Sequence, residues 1–325
     1  MSSPPRAPRH ALVADTGRSK SDRITRNGAI KVSGLQSGAT WQYSLNKGRS
    51  WRRGSGSSFV VKRGTYARGQ VQVRQRSRSG QFSAANTDFS AFIVDTNAAL
   101  PRLILEEDTG SSQDDRITSN GRVRVSGLEE GATWHYSLNG GTDWRKGSGT
   151  SFLAPQGVYS AGQLQVRQRD LAGNTSAAQT GFAALTVDTA APVVPGLALA
   201  TDTGASGADR ITRDGTILVS GVEAGASWQF SLNEGKSWLN GTGSSFVVPD
   251  GTYPTGRVQV RQIDVAGNTS AAHTGFAAFT VDTAVPVVPG LALAADTGAS
   301  AADRITRDGT VLVSGVEAGA SWQFR

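Results

Sequence analysis

Apolar and polar residues alternate with a period of two in short bursts along this chain, and each burst is closed by a Gly- or Asn-bearing turn. Ser227-Trp-Gln-Phe-Ser-Leu232 places Trp228, Phe230 and Leu232 on one face of an extended segment. Gly215-Thr-Ile-Leu-Val-Ser220 precedes it, and Lys236-Ser-Trp-Leu239, Ser245-Phe-Val-Val248, Arg257-Val-Gln-Val-Arg-Gln262 and Phe276-Ala-Ala-Phe-Thr-Val281 follow, with Leu197-Ala-Leu-Ala200 as a short first strand. Asn233-Glu-Gly235, and Asn139-Gly-Gly141 further upstream, read as hairpin turns. Seven short strands with turns every eight to twelve residues predict an all-β, immunoglobulin-like sandwich. Tyr253 in Asp250-Gly-Thr-Tyr253, with Tyr66 and Tyr159 as counterparts, predicts the tyrosine corner of such sandwiches.

The pattern repeats. Asp202-Thr-Gly-Ala-Ser-Gly-Ala-Asp209-Arg-Ile-Thr212 has relatives starting at Asp15, Asp108 and Asp296, spaced by 93, 94 and 94 residues. In each complete copy a Val-Ser-Gly, a Trp, a second Trp, a Gly-x-Tyr, a Val-Arg-Gln and a Val-Asp-Thr follow in order or near variants of it. About 94 residues suffice for one small β-domain with its own core. The expected organisation is a disordered tail at 1–10, a basic and divergent repeat at 11–101, repeats at 102–195 and 196–289, and a truncated repeat at 290–325. Three strands of seven leave Val311, Val313, Trp322 and Phe324 without a partner sheet, so 290–325 is expected to pack poorly alone and the chain to be a fragment of a longer array. The junctions Ala190-Ala-Pro-Val-Val-Pro195 and Ala284-Val-Pro-Val-Val-Pro289 are short and proline-bearing, which predicts stiff links.

Composition narrows the functional classes. There is no cysteine among the 325 residues, so disulfides, thiolate metal sites and thiol nucleophiles are excluded. No apolar run approaches a membrane span of about 20 residues. The first ten residues have no apolar segment after their basic ones, so an export signal is expected elsewhere. The net charge of +7 conceals an asymmetry: residues 1–94 hold 17 Lys/Arg against 3 Asp/Glu, and residues 95–325 hold 16 against 23. For the basic repeat, with Arg49, Arg52, Arg53, Lys62, Arg63, Arg68, Arg74, Arg76 and Arg78, attraction to an anionic polymer competes with a solvated surface that drifted basic after duplication. The second reading is preferred, because the linear sequence shows no aromatic–basic interleaving of the kind that stacks bases, and no specific nucleic-acid recognition is expected.

The order Asp-Thr-Gly-x-Ser-x-x-Asp-x-Ile-Thr, Val-Ser-Gly, Trp-x-[Tyr/Phe]-Ser-Leu-Asn-x-Gly, Gly-x-Tyr, Val-Arg-Gln-x-Asp-x-Ala-Gly-Asn-Thr-Ser and Val-Asp-Thr resembles the bacterial Ig-like repeats of very large secreted adhesins, over essentially all of residues 11–325. The resemblance implies a spacer at the bacterial cell surface, linked to adhesion and biofilm formation, with calcium ions holding successive repeats straight and neighbouring repeats of a longer parent chain as partners.

The residues allow that role to be derived separately. In an Ig-type sandwich the first loop and the end of the last strand share one pole, and the hairpin between the last two strands lies at the other. Stacked repeats then bring Asp15, Asp22 and Asp95 to the hairpin Asp170-Leu-Ala-Gly-Asn174, and Asp108, Asp115 and Asp188 to Asp264-Val-Ala-Gly-Asn268. Asp202, Asp209 and Asp282 form the corresponding set of the third repeat. Such oxygen-rich sets suit Ca²⁺, which extracellular modules hold at about 10⁻⁴–10⁻³ M. The same residues are also good turn formers, needing no metal in that capacity.

Other chemistry is weaker. The first tryptophans, Trp134 and Trp228, are expected in the core. The second ones, Trp51, Trp144 and Trp238, are candidate sugar platforms for a host or matrix glycan in an alternative, direct-binding role. His10, His135 and His273 share no spacing. Asp-Thr-Gly lacks the apolar surroundings and paired half of an aspartic protease. Asn174-Thr-Ser176 and Asn268-Thr-Ser270 match a glycosylation sequon, which has little weight in a bacterial protein. No nucleophile, base and orienting residue recur together, so no enzyme is expected.

Overall fold

The structure, a computed structural model, describes residues 3–204, 206–300 and 302–325. It is all-β, with no helix among the described residues, and each complete repeat folds as a small sandwich around its own core.

Repeat 2 shows the plan. Arg102–Leu105 pairs antiparallel with Arg122–Ser126, which pairs with Ser151–Leu153. Facing it, Thr133–Ser137 lies between Arg145–Lys146 and Gln165–Arg169, and Gln179–Thr180 extends this sheet. A third sheet closes one edge: Ile117–Thr118 runs parallel to Leu185–Val187, which pairs antiparallel with Gly157–Tyr159. Period-two alternation turns Val123 and Val125 of one sheet, and Trp134 and Val166 of the other, into the shared core with Phe152 and Leu185. The first tryptophans are core residues, as their spacing predicts: Trp41, Trp134 and Trp228 are each 4% exposed. Their indole N–H groups donate to the carbonyls of Gly56, Gly149 and Gly243 at 2.9, 2.9 and 3.0 Å.

The tyrosine corner is also present. The hydroxyls of Tyr66, Tyr159 and Tyr253 each donate at 2.8 Å to a carbonyl four residues upstream, on Lys62, Pro155 and Pro249. Burial raises the pKa of all three phenols.

Two-residue strands, at Ile24–Thr25, Ile117–Thr118 and Ile211–Thr212, were not anticipated. Each pairs in parallel with the last strand of its repeat. They fix the first loop to the end of that strand, an arrangement on which the candidate site depends.

The first ten residues differ from the expected disordered tail. Met1 and Ser2 lie outside the described residues, but Pro5 and Pro8 are buried and Arg9–Leu12 is a strand paired with Ala29–Ser33. The Pro8 carbonyl accepts from Asn86 Nδ2 at 2.9 Å. His10 packs against Phe89 in a tilted arrangement, ring centroids 4.4 Å apart and planes at 49°, and its Nε2 lies 3.1 Å from the Val71 carbonyl. Its Nδ1 is buried without a partner. Burial lowers its pKa from 6.5, against the smaller raising effect of the Val71 carbonyl. The unfolded chain therefore takes up the proton first, and repeat 1 is expected to lose stability as the pH falls below 6.5. Melting curves of the chain and of His10→Phe at pH 7.5 and 5.5 check this: the pH-dependent drop should shrink in the variant.

Among the described residues of 290–325 a single antiparallel pair is formed, Gly290–Leu293 with Val311–Ser314. Val311, Trp322 and Phe324 are 50%, 48% and 87% exposed, whereas in repeat 3 the counterparts of the first two, Ile217 and Trp228, are buried and that of the third, Phe230, packs half-buried against the core. The chain divides into two compact units, residues 1–191 with 264–268, and residues 192–263 with 269–325.

Candidate functional site

The acidic loop is built the same way in every copy. Asp15 Oδ2 accepts from the Arg23 amide at 2.9 Å, and Asp22 Oδ1 accepts from the Ile24 amide at 3.0 Å. Arg23 sits in the left-handed region at φ 61°, as do Arg116, Arg210 and Arg304 at 59°, 63° and 57°. That conformation is disfavoured for a side chain with a Cβ. The carboxylate bond to the amide holds it, with Asp108, Asp202 and Asp296 repeating the contact. Thr16 Oγ1 accepts from the Arg26 amide at 2.7 Å, and the Asp95 amide donates to the Thr25 carbonyl at 2.9 Å. Loop and strand end therefore share one pole.

The first compact unit contains two loop-to-hairpin contacts. At the junction of repeats 1 and 2, Thr16 Oγ1 donates to the Ala172 carbonyl at 2.7 Å, Arg26 Nη1 to the Gly173 carbonyl at 3.2 Å, and Asn174 Nδ2 to the Asp95 carbonyl at 2.8 Å. Asn174 and Asp170 also clasp each other, Nδ2 to Oδ2 at 2.7 Å and the Asn174 amide to Oδ1 at 2.8 Å. The hairpin 264–268, which belongs to this unit, repeats the pattern: Thr109 Oγ1 donates to the Ala266 carbonyl and Asn268 Nδ2 to the Asp188 carbonyl at 2.8 Å. The approach is close enough to require glycine. A Cβ on Gly17 would stand 2.0 Å from the Leu171 carbonyl oxygen, and one on Gly110 would stand 2.0 Å from that of Val265. At Gly204, the third copy, the nearest atom is 3.7 Å away. Both sequon asparagines use their side-chain amides in these contacts.

The carboxylates themselves are mostly engaged within the chain. Asp95 Oδ1 lies 3.1 Å from Arg63 Nε and accepts from the Asn97 amide. Asp188 and Asp282 cap the Ala190 and Ala284 amides, and Asp115 and Asp209 cap those of Ile117 and Ile211. Asp264 is clasped by Asn268, as Asp170 is by Asn174. Among the described residues no three His, Cys, Asp or Glu side chains gather as a metal site. One feature of each loop does fit a cation. Oδ1 of Asp15, Asp108, Asp202 and Asp296 is buried with no hydrogen-bond partner, a costly state for a carboxylate oxygen. It recurs at Asp202 and Asp296, whose loops show no hairpin contact among the described residues, so the unpaired oxygen is a property of the loop.

A further set went unread in the sequence. Gln75, Gln168 and Gln262, the last residues of the Val-Arg-Gln landmarks, are 0% exposed and stand opposite the core tryptophans. Gln168 Nε2 donates to the carbonyls of Ala99 and Gly127 at 3.0 and 2.9 Å, and its Oε1 accepts from the Glu129 amide at 2.8 Å. Glu129 Oε1 in turn accepts from the Ala99 amide at 2.7 Å. The entering segment is thus pinned at one residue through both its backbone groups. Gln262 and Glu223 pin Val193 in the same way, and Glu317 accepts from the Val287 amide. The available signal was a polar residue at an inward position of an alternating strand.

The second tryptophans are half-buried, and each lies under an arginine. The guanidinium carbons of Arg74, Arg167 and Arg261 stand 4.0, 3.9 and 4.1 Å from the ring centroids of Trp51, Trp144 and Trp238. One face of each candidate sugar platform is therefore covered.

No family model and no curated protein matches this chain. Among solved structures it is similar to the fibronectin(III)-like modules of Clostridium thermocellum CbhA, at 8% identity over 55% of this chain and 94% of that one, with a TM-score of 0.28. It is also similar to a tetra-tandem repeat in the extending region of a large adhesion protein, at 12% identity over 90% of this chain and 77% of that one, with a TM-score of 0.22. A third similarity is to domains 7, 8 and 9 of the S-layer protein SbsC, at 13% identity over 74% of this chain and 78% of that one, with a TM-score of 0.17. No helix among the described residues is long and apolar enough to cross a membrane.

Proposed function

We propose that this chain is a non-enzymatic extender segment of a bacterial cell-surface adhesin, in which docked sandwiches hold an adhesive region away from the cell and support adhesion and biofilm formation. The observation that carries the reading is the hairpin of one repeat hydrogen-bonded to the acidic loop of the repeat before it, with the linker residue pinned at the same time. Independent beads on a string need neither device. Direct glycan binding through the second tryptophans is a poorer reading, because an arginine occupies a face of each ring.

Calcium belongs to the proposal as a stiffening ion. What supports it is the unpaired buried oxygen of Asp15, Asp108 and Asp202, which would be the first ligand in each loop. The bound ion would supply positive charge where the loop has left a carboxylate oxygen without a donor.

Small-angle scattering of chains of one, two and three repeats, in calcium and in EDTA, tests both parts. The maximum dimension should grow by an equal step per repeat and should change on chelation. A dimension that does not grow in steps would overturn the extender. Equal steps with no response to EDTA would remove calcium and leave the extender standing.

A further inference from the structure

Residues 1–94 carry 17 of the 33 Lys and Arg residues, and the arrangement of this charge in space differs from its arrangement along the chain. The outer face of the sheet formed by Arg52–Arg53, Thr40–Ser44 and Gln72–Arg76 holds an alternating stack of rings and guanidinium groups. Arg74 lies between Trp51 and Phe82, its guanidinium carbon 4.0 and 4.2 Å from the two centroids, and Arg76 lies 5.4 Å from Phe82. The stack is assembled across strands: Phe82 reaches it through a β-bridge to Arg76, and Arg53 stands opposite Gln42 in register. No such interleaving exists along the linear chain, which is why the basic surface reads from sequence as mere drift.

The guanidinium groups are preorganised. Arg74 Nε donates to Gln42 Oε1 at 2.9 Å and Arg76 Nε donates to the Gly80 carbonyl at 3.0 Å, so the outer nitrogens are the donors left to meet a ligand. Among the described residues no carboxylate pairs with Arg52, Arg53, Arg74 or Arg76; the one ion pair of the repeat is Arg63 with Asp95. Phe82 is 40% exposed. The other repeats provide an internal comparison. Arg53, Arg76 and Phe82 correspond to Lys146, Arg169 and Thr175 in repeat 2, and to Asn240, Ile263 and Thr269 in repeat 3. The Trp–Arg pair is common to all three, whereas the extended basic stack is confined to the first.

We propose that this sheet face of repeat 1 binds an acidic polysaccharide, a chain bearing carboxylate or sulfate groups at regular intervals. Stacked guanidinium groups lose little freedom on binding and present paired N–H donors to oxyanions. Arg74 covers a face of Trp51 and of Phe82, which reduces the ring area open to nucleic-acid bases and places nucleic acid second. The site adds an attachment function to the extender and does not depend on it.

The test is titration of the 325-residue chain, at low and at moderate salt, with heparin, with polygalacturonate and with a DNA duplex of matched charge. The triple variant Arg53→Asn/Arg76→Ile/Phe82→Thr, which installs the residues repeat 3 already tolerates, is titrated alongside. Salt-sensitive binding of a polysaccharide, weakened about ten-fold or more in the variant at unchanged melting temperature, is the expected result. If the triple variant melts early, Arg53→Gln/Arg76→Gln serves in its place. Equal affinity of parent and variant, absence of binding at low salt, or tighter binding of the DNA than of either polysaccharide overturns the assignment.

Discussion

Gly17→Ala is expected to open the junction between repeats 1 and 2. The new methyl carbon would start 2.0 Å from the Leu171 carbonyl oxygen, a backbone atom that moves only if the hairpin moves. Displacing the hairpin breaks the bonds from Thr16 to Ala172, from Arg26 to Gly173 and from Asn174 to Asp95. At about 1 kcal/mol each the loss is about 3 kcal/mol of docking energy. The substitution carries a second cost, because Gly17 has φ 93° and alanine is strained there by about 1 kcal/mol. Gly204→Ala separates the two effects: Gly204 has φ 113°, but a Cβ there would meet its nearest atom at 3.7 Å, an ordinary contact. Hydrogen exchange of the 170–174 hairpin and the 15–26 loop should rise sharply in Gly17→Ala and stay near the parent level in Gly204→Ala. Unchanged hairpin protection in Gly17→Ala would mean that the contact contributes little.

The second large effect is expected at the buried glutamines. Gln262→Leu keeps the volume but leaves the Val193 and Gly221 carbonyls and the Glu223 amide without their partner. Each unsatisfied group costs about 1–3 kcal/mol, so a loss of about 3 kcal/mol or more is expected for repeat 3. Glu223→Gln retains an acceptor for the Val193 amide and should cost less than about 1 kcal/mol. Denaturant unfolding followed by hydrogen exchange of the repeat 3 amides resolves this repeat from its neighbours, which a single global transition would not. A loss below about 1 kcal/mol in Gln262→Leu would contradict the pinning role.

Much of the fold was legible because its signals are local. A period of two places Trp134 and Val166 inward. Gly-x-Tyr places the corner hydroxyl, and the recurrence of Asp-Thr-Gly sets the repeat. The pole-to-pole relation of loop and hairpin also followed from topology. What escaped reading is set by partners distant in sequence. Ile24–Thr25 is too short to show a period and exists as a strand through Phe92–Val94. Gln168 looks like one more polar strand residue until Ala99 and Glu129 come beside it. Pro5 and Pro8 have the composition of a tail, yet they are buried and lead directly into a paired strand. The acidic residues were read as one chemical set, whereas backbone amides divide them: Asp22, Asp115 and Asp209 cap turns, and Asp15, Asp108 and Asp202 each keep one oxygen unpaired. The aromatic–guanidinium stack of repeat 1 is assembled across strands and is invisible along any one of them.

Direct docking of the hairpin on the preceding loop is the claim on which the extender depends, and the absence of cysteine makes it straightforward to measure. Spin labels at Ser55→Cys and Thr150→Cys, both exposed and one in each of the first two repeats, report the distance between repeats in the first compact unit. A single narrow distance distribution, broadened when Gly17→Ala is added, is the expected result. A broad distribution in the parent chain, the same with and without the alanine, would contradict it.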